Sequence, residues 1–172
     1  MLVLGIDPGL GGACAVLRDG RPEEVFDTPT LEVVRNRGRR REYHLSALVS
    51  EIARRIGDVP YAAGSVAAFL ESVNAFPRQG VASMFSLGRG LGIWEGALAA
   101  LRIPYTKVLP QAWKRAMLAG MGKGKEASRL RAQQLFPSAE LHLKKHEGRA
   151  EALLLARYGR TYLLASNASS SV

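Results

Sequence analysis

The first thirty residues alternate short apolar runs with turn-forming residues. Leu2–Ile6 is apolar and is followed by Asp7-Pro8-Gly9, a combination that ends a strand in a turn. A second apolar run covers residues 12–17, and residues 24–26 form a third short β-like segment. This spacing predicts an antiparallel meander of three strands, with Asp7 at the end of the first.

Further along, the pattern changes from helical to strand-like. Apolar residues recur at helical spacing from Leu45 to Ile56, and Gly57 closes that segment. Residues 65–70 then form an apolar run that is too short for a helix and leads directly into Glu71. Such a run is typical of a buried strand, so a second carboxylate is predicted at a strand end.

The second half of the chain is mostly helical in pattern. Apolar spacing predicts a helix over residues 80–101, a strand over 103–108, a helix over 126–135 and a last helix over about 147–164. Residues 1–165 are expected to form a single domain, and residues 166–172 a polar, disordered tail. The basic run at residues 36–41 breaks all periodicity and is interpreted as a solvated loop.

The order of these elements predicts an α/β fold. The first three strands are too closely linked for helical crossovers and must be antiparallel, whereas helices separate the later strands. We therefore expect a mixed five-stranded sheet flanked by helices.

Composition adds a preference for a polyanionic partner. The 172 residues are 47% hydrophobic, and 24 Lys and Arg against 15 Asp and Glu give a net charge of +9. Nucleic acid is the leading candidate, although charge alone does not decide the function.

The single cysteine, Cys14, is expected to be a packed core thiol. No stretch approaches the ~20 apolar residues of a membrane span, so we expect a cytoplasmic protein without membrane association, in a bacterium or a phage-infected cell.

Four carboxylates carry the candidate chemistry: Asp7, Glu71, Glu147 and Glu151. The last two are four residues apart on one predicted helix and can face the same spot. Hard divalent cations need such convergent oxygens, and two of them can hydrolyse a phosphodiester. Each residue also has a simpler explanation: turn chemistry for Asp7, a salt bridge for Glu71, and helix-dipole complementation for the other two.

The order of four motifs resembles the RuvC family of Holliday-junction resolvases. Leu4-Gly5-Ile6-Asp7-Pro8-Gly9 is similar to the family's first-strand motif, and Phe69-Leu70-Glu71 to its second acidic strand end. Ser86-Leu87-Gly88-Arg89-Gly90 is similar to the start of its dimer-forming helix, and residues 148–154 resemble its terminal acidic helix. The likeness spans residues 1–158.

The resemblance implies an RNase H-like fold and a homodimer that binds four-way junction DNA. It also implies symmetric paired nicks with Mg²⁺, for which Mn²⁺ can substitute. The family often has an acid or His three positions before the last acid, where this chain has Gly148. Glu147 is the preferred fourth ligand and His146 the alternative, because hard cations prefer oxygen. Glu151 stands where Asp is more usual.

Two further features predict DNA contacts. Phe76, Arg78 and Gln79 lie in a turn-rich segment after Glu71, where an aromatic ring beside a cation can stack on an opened base and hold a phosphate. Packing of Phe76 under that loop is an equal alternative. The cations expected near the phosphate backbone are Arg78, Arg89, Lys114, Lys123 and Lys125.

Other functions remain open at this stage. An RNase H-like nuclease that cuts flaps or RNA–DNA hybrids would use the same metal chemistry. A non-catalytic junction-binding protein would need only the charge, but the acids argue against it. An actin-like kinase or ATPase is disfavoured because it needs a second lobe that 172 residues do not hold.

Overall fold

The computed structural model describes residues 1–35, 38–57, 65–72, 80–122, 124 and 126–169. Its strands and helices, in chain order, are β1 (Leu2–Ile6), β2 (Ala13–Arg18), β3 (Arg21–Asp27), β4 (Thr30–Arg35), β5 (Gly38–Tyr43), α1 (Leu45–Ile56), β6 (Val66–Glu71), α2 (Val81–Ala100), β7 (Tyr105–Val108), α3 (Pro110–Met117), α4 (Ala127–Leu135) and α5 (Glu147–Ser169). A 3₁₀ turn, Lys144–His146, precedes α5.

The central sheet has five strands in the order β3-β2-β1-β6-β7. Strands β1, β2 and β3 are antiparallel neighbours, whereas β6 runs parallel to both β1 and β7. The predicted α/β class and the antiparallel first three strands are therefore confirmed. Strands β4 and β5 form a separate two-stranded sheet.

Successive side chains of the buried strands pack alternately into two hydrophobic cores, one on each face of the sheet. Leu2, Leu4 and Ile6 of β1 pack with α1 and α2 on one face, where Trp94 is fully buried. Val3 faces the other side and packs with α3, α4 and α5. Cys14 is buried in the first of these cores, as expected of a packed thiol. No helix in the described ranges is long and apolar enough to cross a membrane.

Three parts of the chain differ from the sequence-based prediction. The basic run was interpreted as a solvated loop, but Gly38 to Arg41 form most of β5 and pair with β4. Cross-strand pairing overrides the missing periodicity, because exposed hairpin strands need no apolar alternation. Pro110–Met117 forms a helix that was not assigned. Helix α5 continues to Ser169, so residues 166–169 extend it; residues 170–172 lie outside the described ranges.

Helix α5 lies unusually close to β1. A Cβ atom on Gly5 would overlap the backbone of Ala152 and Ala156, and one on Gly148 would lie 2.8 Å from the Cα of Gly12. Glycine at these positions lets the helix backbone rest on the strand and on the following turn. This contact fixes the N-terminal half of α5 over the end of β1.

Gly5→Ala should lower the free energy of unfolding by about 3 kcal/mol, because the added methyl group forces two backbones apart. Chemical denaturation checks this value. The matched control is Gly11→Ala, whose Cβ would meet nothing within 4 Å. Equal stability of the two variants would contradict the close packing described here.

Candidate active site

The sheet brings the first two acids together. Ile6 and Leu70 are paired in the parallel register of β1 and β6, so Asp7 and Glu71 follow them side by side at the same sheet edge. Helix α5 crosses β1 at Gly5 and carries Glu151 to that edge. Three acids from distant parts of the chain thus meet at one end of the sheet.

Asp7 is the most perturbed of the three. Its pKa is raised to about 7, chiefly by burial and further by the charges of Glu71 and Glu151. The backbone N–H of Gly9 donates to its Oδ1 at 3.2 Å and opposes that rise, as does the ammonium of Lys114. A Cβ at Gly12 would lie 2.8 Å from the Asp7 Cγ, so glycine there leaves room for the carboxylate.

Glu71 is held by a buried tryptophan of α3. The Trp113 Nε1–H donates to its Oε1 at 2.9 Å, and the Trp113 side chain is fully buried. Burial raises the pKa of Glu71; the Trp113 hydrogen bond and the Lys114 charge act in the opposite direction. The indole therefore orients this carboxylate and favours its ionised form.

Glu151 has two partners at the same oxygen. The Lys114 Nζ lies 2.8 Å from its Oε1, and the hydroxyl of the buried Ser128 donates to Oε1 at 3.1 Å. Burial lowers the pKa of Lys114, but the hydrogen bond to Glu151 and the three nearby carboxylates outweigh that effect and raise it. Lys114 consequently stays charged inside the acidic site.

One ammonium does not balance three carboxylates; the pKa of Asp7 is raised chiefly by burial and additionally by the charges of Glu71 and Glu151. The donor set consists of carboxylate oxygens, which suit hard divalent cations such as Mg²⁺ or Mn²⁺. A divalent cation would offset the mutual repulsion of Asp7, Glu71 and Glu151. The chemistry of these donors suits such a cation, but among the described residues no three His, Cys, Asp or Glu side chains are placed to hold one metal ion together.

Neither candidate for the fourth metal ligand, Glu147 or His146, lies with these three acids. Glu147 is exposed at the first residue of α5. His146 is buried, and desolvation lowers its pKa. The charged groups near it are Arg149, His142, Lys145 and Asp27. Arg149 pairs with Asp27 through two hydrogen bonds of 2.6 and 2.8 Å. Neither candidate contacts the acidic cluster in the described residues.

The predicted DNA contacts have different outcomes. Lys114 lies within the acidic site, and Arg89 is half-exposed on α2 with its Nη2 3.6 Å from the Glu42 Oε2. Five others lie outside the described residues: Phe76, Arg78, Gln79, Lys123 and Lys125.

Sequence reasoning missed the residues that orient the acids. Trp113 is fully buried in the core, and its indole N–H also donates to Glu71. Ser128 gave no sequence signal. The hydroxyl of Tyr43 donates to the carbonyl of Pro8 at 3.1 Å and so fixes the turn that follows Asp7. An aromatic residue near basic residues, as at Trp113 and Tyr43, is too common in sequences to indicate that it orients a carboxylate or a turn.

Comparison with solved structures decides the fold. A Thermus thermophilus RuvC determined in complex with Holliday junction substrate matches this chain with a TM-score of 0.61 and 22% sequence identity, over 96% of each chain. A second Thermus thermophilus RuvC structure matches with a TM-score of 0.58 and 22% identity, over 96% of this chain and 97% of that one. The chain has the RuvC fold.

The likeness to RuvC extends over nearly the whole of both chains, so it includes the sheet edge where the three acids lie. It confirms the fold that the four sequence motifs implied. No protein family and no curated protein matches the chain when sequences are compared. The RuvC fold is therefore recognised here through structure, at an identity too low to carry function by itself.

Asp7→Asn should raise the melting temperature at pH 8 by several degrees. The folded-state pKa of about 7 exceeds the ordinary 3.8, so the folded chain binds more protons than the unfolded one between these values. Stability contributed by that proton is lost as pH rises through 7. The amide removes the buried charge. Thermal unfolding in the presence of chelator, from pH 4 to pH 8, checks this. The difference in melting temperature between Asp7→Asn and the parent should become smaller towards pH 4.

The exposed carboxylate Glu140 offers a matched control, since Glu140→Gln also removes one negative charge. It should leave the melting temperature nearly unchanged across the same range. A melting temperature of Asp7→Asn at or below that of the parent at pH 8 would contradict the uncompensated burial of Asp7.

Proposed function

We propose that this protein is a metal-dependent endonuclease that resolves four-way DNA junctions by paired symmetric nicks. The observation that carries the proposal is the convergence of Asp7, Glu71 and Glu151 at one sheet edge of a RuvC fold. The matched Thermus thermophilus RuvC was determined with a Holliday junction substrate. The net charge of +9 suits such a polyanion.

Asp7, Glu71 and Glu151 would hold the cofactor, Mg²⁺ or in its place Mn²⁺. Glu147 is proposed as a fourth ligand and His146 as its alternative; either requires a rearrangement at the start of α5, since Glu147 is exposed and His146 is turned towards Arg149. When bound, a pair of such ions supplies an activated water and stabilises the leaving oxygen of a phosphodiester.

The chain's own residues prepare the site for that chemistry. Trp113 orients Glu71, and Ser128 holds the Oε1 of Glu151, so neither carboxylate has to be ordered when the substrate arrives. Lys114 keeps its proton next to Glu151 and is 39% exposed, so its ammonium can reach a phosphate oxygen at the mouth of the site. It thereby supplies positive charge where negative charge develops.

A homodimer is part of the proposal because twofold symmetry suits two symmetric incisions. Helix α2 offers a surface for it: Gly88, Gly92 and Gly96 recur every four residues, and a Cβ at any of them would meet nothing within 4 Å. Such an open strip of small residues lets a second helix approach closely.

Cleavage of a labelled mobile four-way junction, compared with linear duplex, flap and RNA–DNA hybrid, tests this function. With Mg²⁺ the parent should nick opposed junction strands symmetrically, and chelator should stop it. Asp7→Asn should slow cutting at least about a hundredfold while leaving junction binding intact, since metal-supplied charge stabilisation amounts to several kcal/mol. Glu140→Gln is the control for loss of a carboxylate.

Other outcomes select among the alternatives. Cutting of flaps or hybrids instead of junctions would keep the metal site and reject the substrate. Tight junction binding without any cutting would favour a non-catalytic binder. Retained nicking by Asp7→Asn would reject the site itself, and a matching loss in Glu147→Gln would establish Glu147 as a ligand.

Sedimentation velocity tests the dimer. The parent should sediment with twice the 18.6 kDa chain mass, and Gly92→Leu should shift it towards the monomer because the side chain blocks close helix approach. Gln134→Leu, on the exposed face of α4, adds the same side chain elsewhere and should leave the dimer intact. A monomeric parent at assay concentrations would contradict the dimer.

A further inference from the structure

The β4–β5 hairpin has no role in the function proposed above. Its two strands carry four arginines and two glutamates, and they pair with each other rather than with the central sheet. The side chains of Arg39, Arg40 and Arg41 are all exposed. Guanidinium groups gathered on one short hairpin create a local positive potential that attracts polyanions.

The two glutamates offset only part of this charge. Glu32 lies 3.5 Å from Arg39, and Glu42 lies 3.6 Å from Arg89 of α2. Among the described residues, no carboxylate forms an ion pair with Arg40 or Arg41. Arg40 and Arg41 therefore present exposed positive charge beside α2.

A groove of about 580 Å³ separates the hairpin from the first turns of α2. Arg40 and Arg41 lie on the hairpin side together with the carboxylate of Glu42, and Arg89 and Phe85 lie on the α2 side. The Phe85 ring is 73% exposed. Cations that alternate with an accessible aromatic ring match the repeating phosphates and flat bases of a nucleic acid strand.

The groove is adjacent to the turn that follows Asp7, and none of the three acids lines it. Tyr43 and Leu10 close it, and the Tyr43 hydroxyl donates to the carbonyl of Pro8, next to Asp7. A Cβ at Gly90 would lie 2.6 Å from that same carbonyl, so α2 also packs directly on the turn. The root of the hairpin, the turn and α2 therefore hold the groove at a fixed place beside the turn that follows Asp7.

We propose that this arginine groove binds the sugar–phosphate backbone of one DNA strand where the strand leaves the acidic site. Arg40, Arg41 and Arg89 contact phosphates, and Phe85 packs against a sugar or a base. The inference rests on the proposed function, which supplies DNA as the occupant. A second copy of this chain, which the proposed homodimer would place along Gly88, Gly92 and Gly96 of α2, is the competing occupant that the cross-linking below distinguishes from DNA.

Binding in the Asp7→Asn background tests the groove without cleavage. Junction affinity is measured by fluorescence anisotropy over a range of salt for Arg40→Ala/Arg41→Ala. Loss of two phosphate contacts should raise the dissociation constant roughly tenfold or more. It should also reduce the slope of the log binding constant against the log salt concentration by about 2. The control is Arg18→Ala/Arg21→Ala: Arg18 pairs with Leu2 and Arg21, at the opposite end of β1 from Asp7.

The outcomes separate this inference from the proposed function. If the Asp7→Asn parent binds junctions and the hairpin variant binds equally well with an equal salt slope, the groove is overturned and the nuclease proposal stands. An equal loss in the control pair also overturns it, because the effect is then one of net charge. A parent without affinity for DNA overturns both.

A positional measurement complements the affinities. A photo-cross-linker on Ala82→Cys, exposed in the groove wall, should attach to junction DNA, whereas one on Arg21→Cys should not. The native Cys14 is buried and stays unlabelled. Cross-linking of Ala82→Cys to a second protein copy and not to DNA would assign the groove to an interface between copies and overturn its assignment to DNA.

Discussion

The whole site depends on the close contact between α5 and β1 at Gly5. Backbone rests on backbone there, because a single methyl group at Gly5 would overlap Ala152 and Ala156. The parallel pairing of β1 with β6 sets the spacing of Asp7 and Glu71, but only this helix crossing brings Glu151 to them. Packing density, rather than any polar interaction, therefore determines where the third carboxylate lies.

The cost of that convergence is electrostatic. Burying one carboxylate beside two others raises the pKa of Asp7 to about 7, and the chain offsets the repulsion only in part, through Lys114, Trp113 and Ser128. Under the proposed function, a bound divalent cation would offset the remaining repulsion, so stability without metal and affinity for metal would depend on the same carboxylates.

The sequence alone predicted most of the fold, because apolar runs that end in Asp7 and Glu71 are a local signal. It predicted three acids that the structure brings together, whereas Glu147 is exposed and apart from them. The arginine hairpin was missed because its strands face solvent and lack alternation. The hydrogen bonds of Trp113 and Ser128 depend on how α3 and α4 pack, which no local pattern encodes.

The separate pairing of β4 and β5 has a consequence for how such a protein can change. The hairpin is joined to the body at its root by Tyr43 and forms no part of the central sheet. Insertions, deletions or charge changes towards its tip need no repacking of either core. If the hairpin binds substrate as proposed, its contacts can therefore change in evolution without disturbing the packing that positions the carboxylates at the sheet edge.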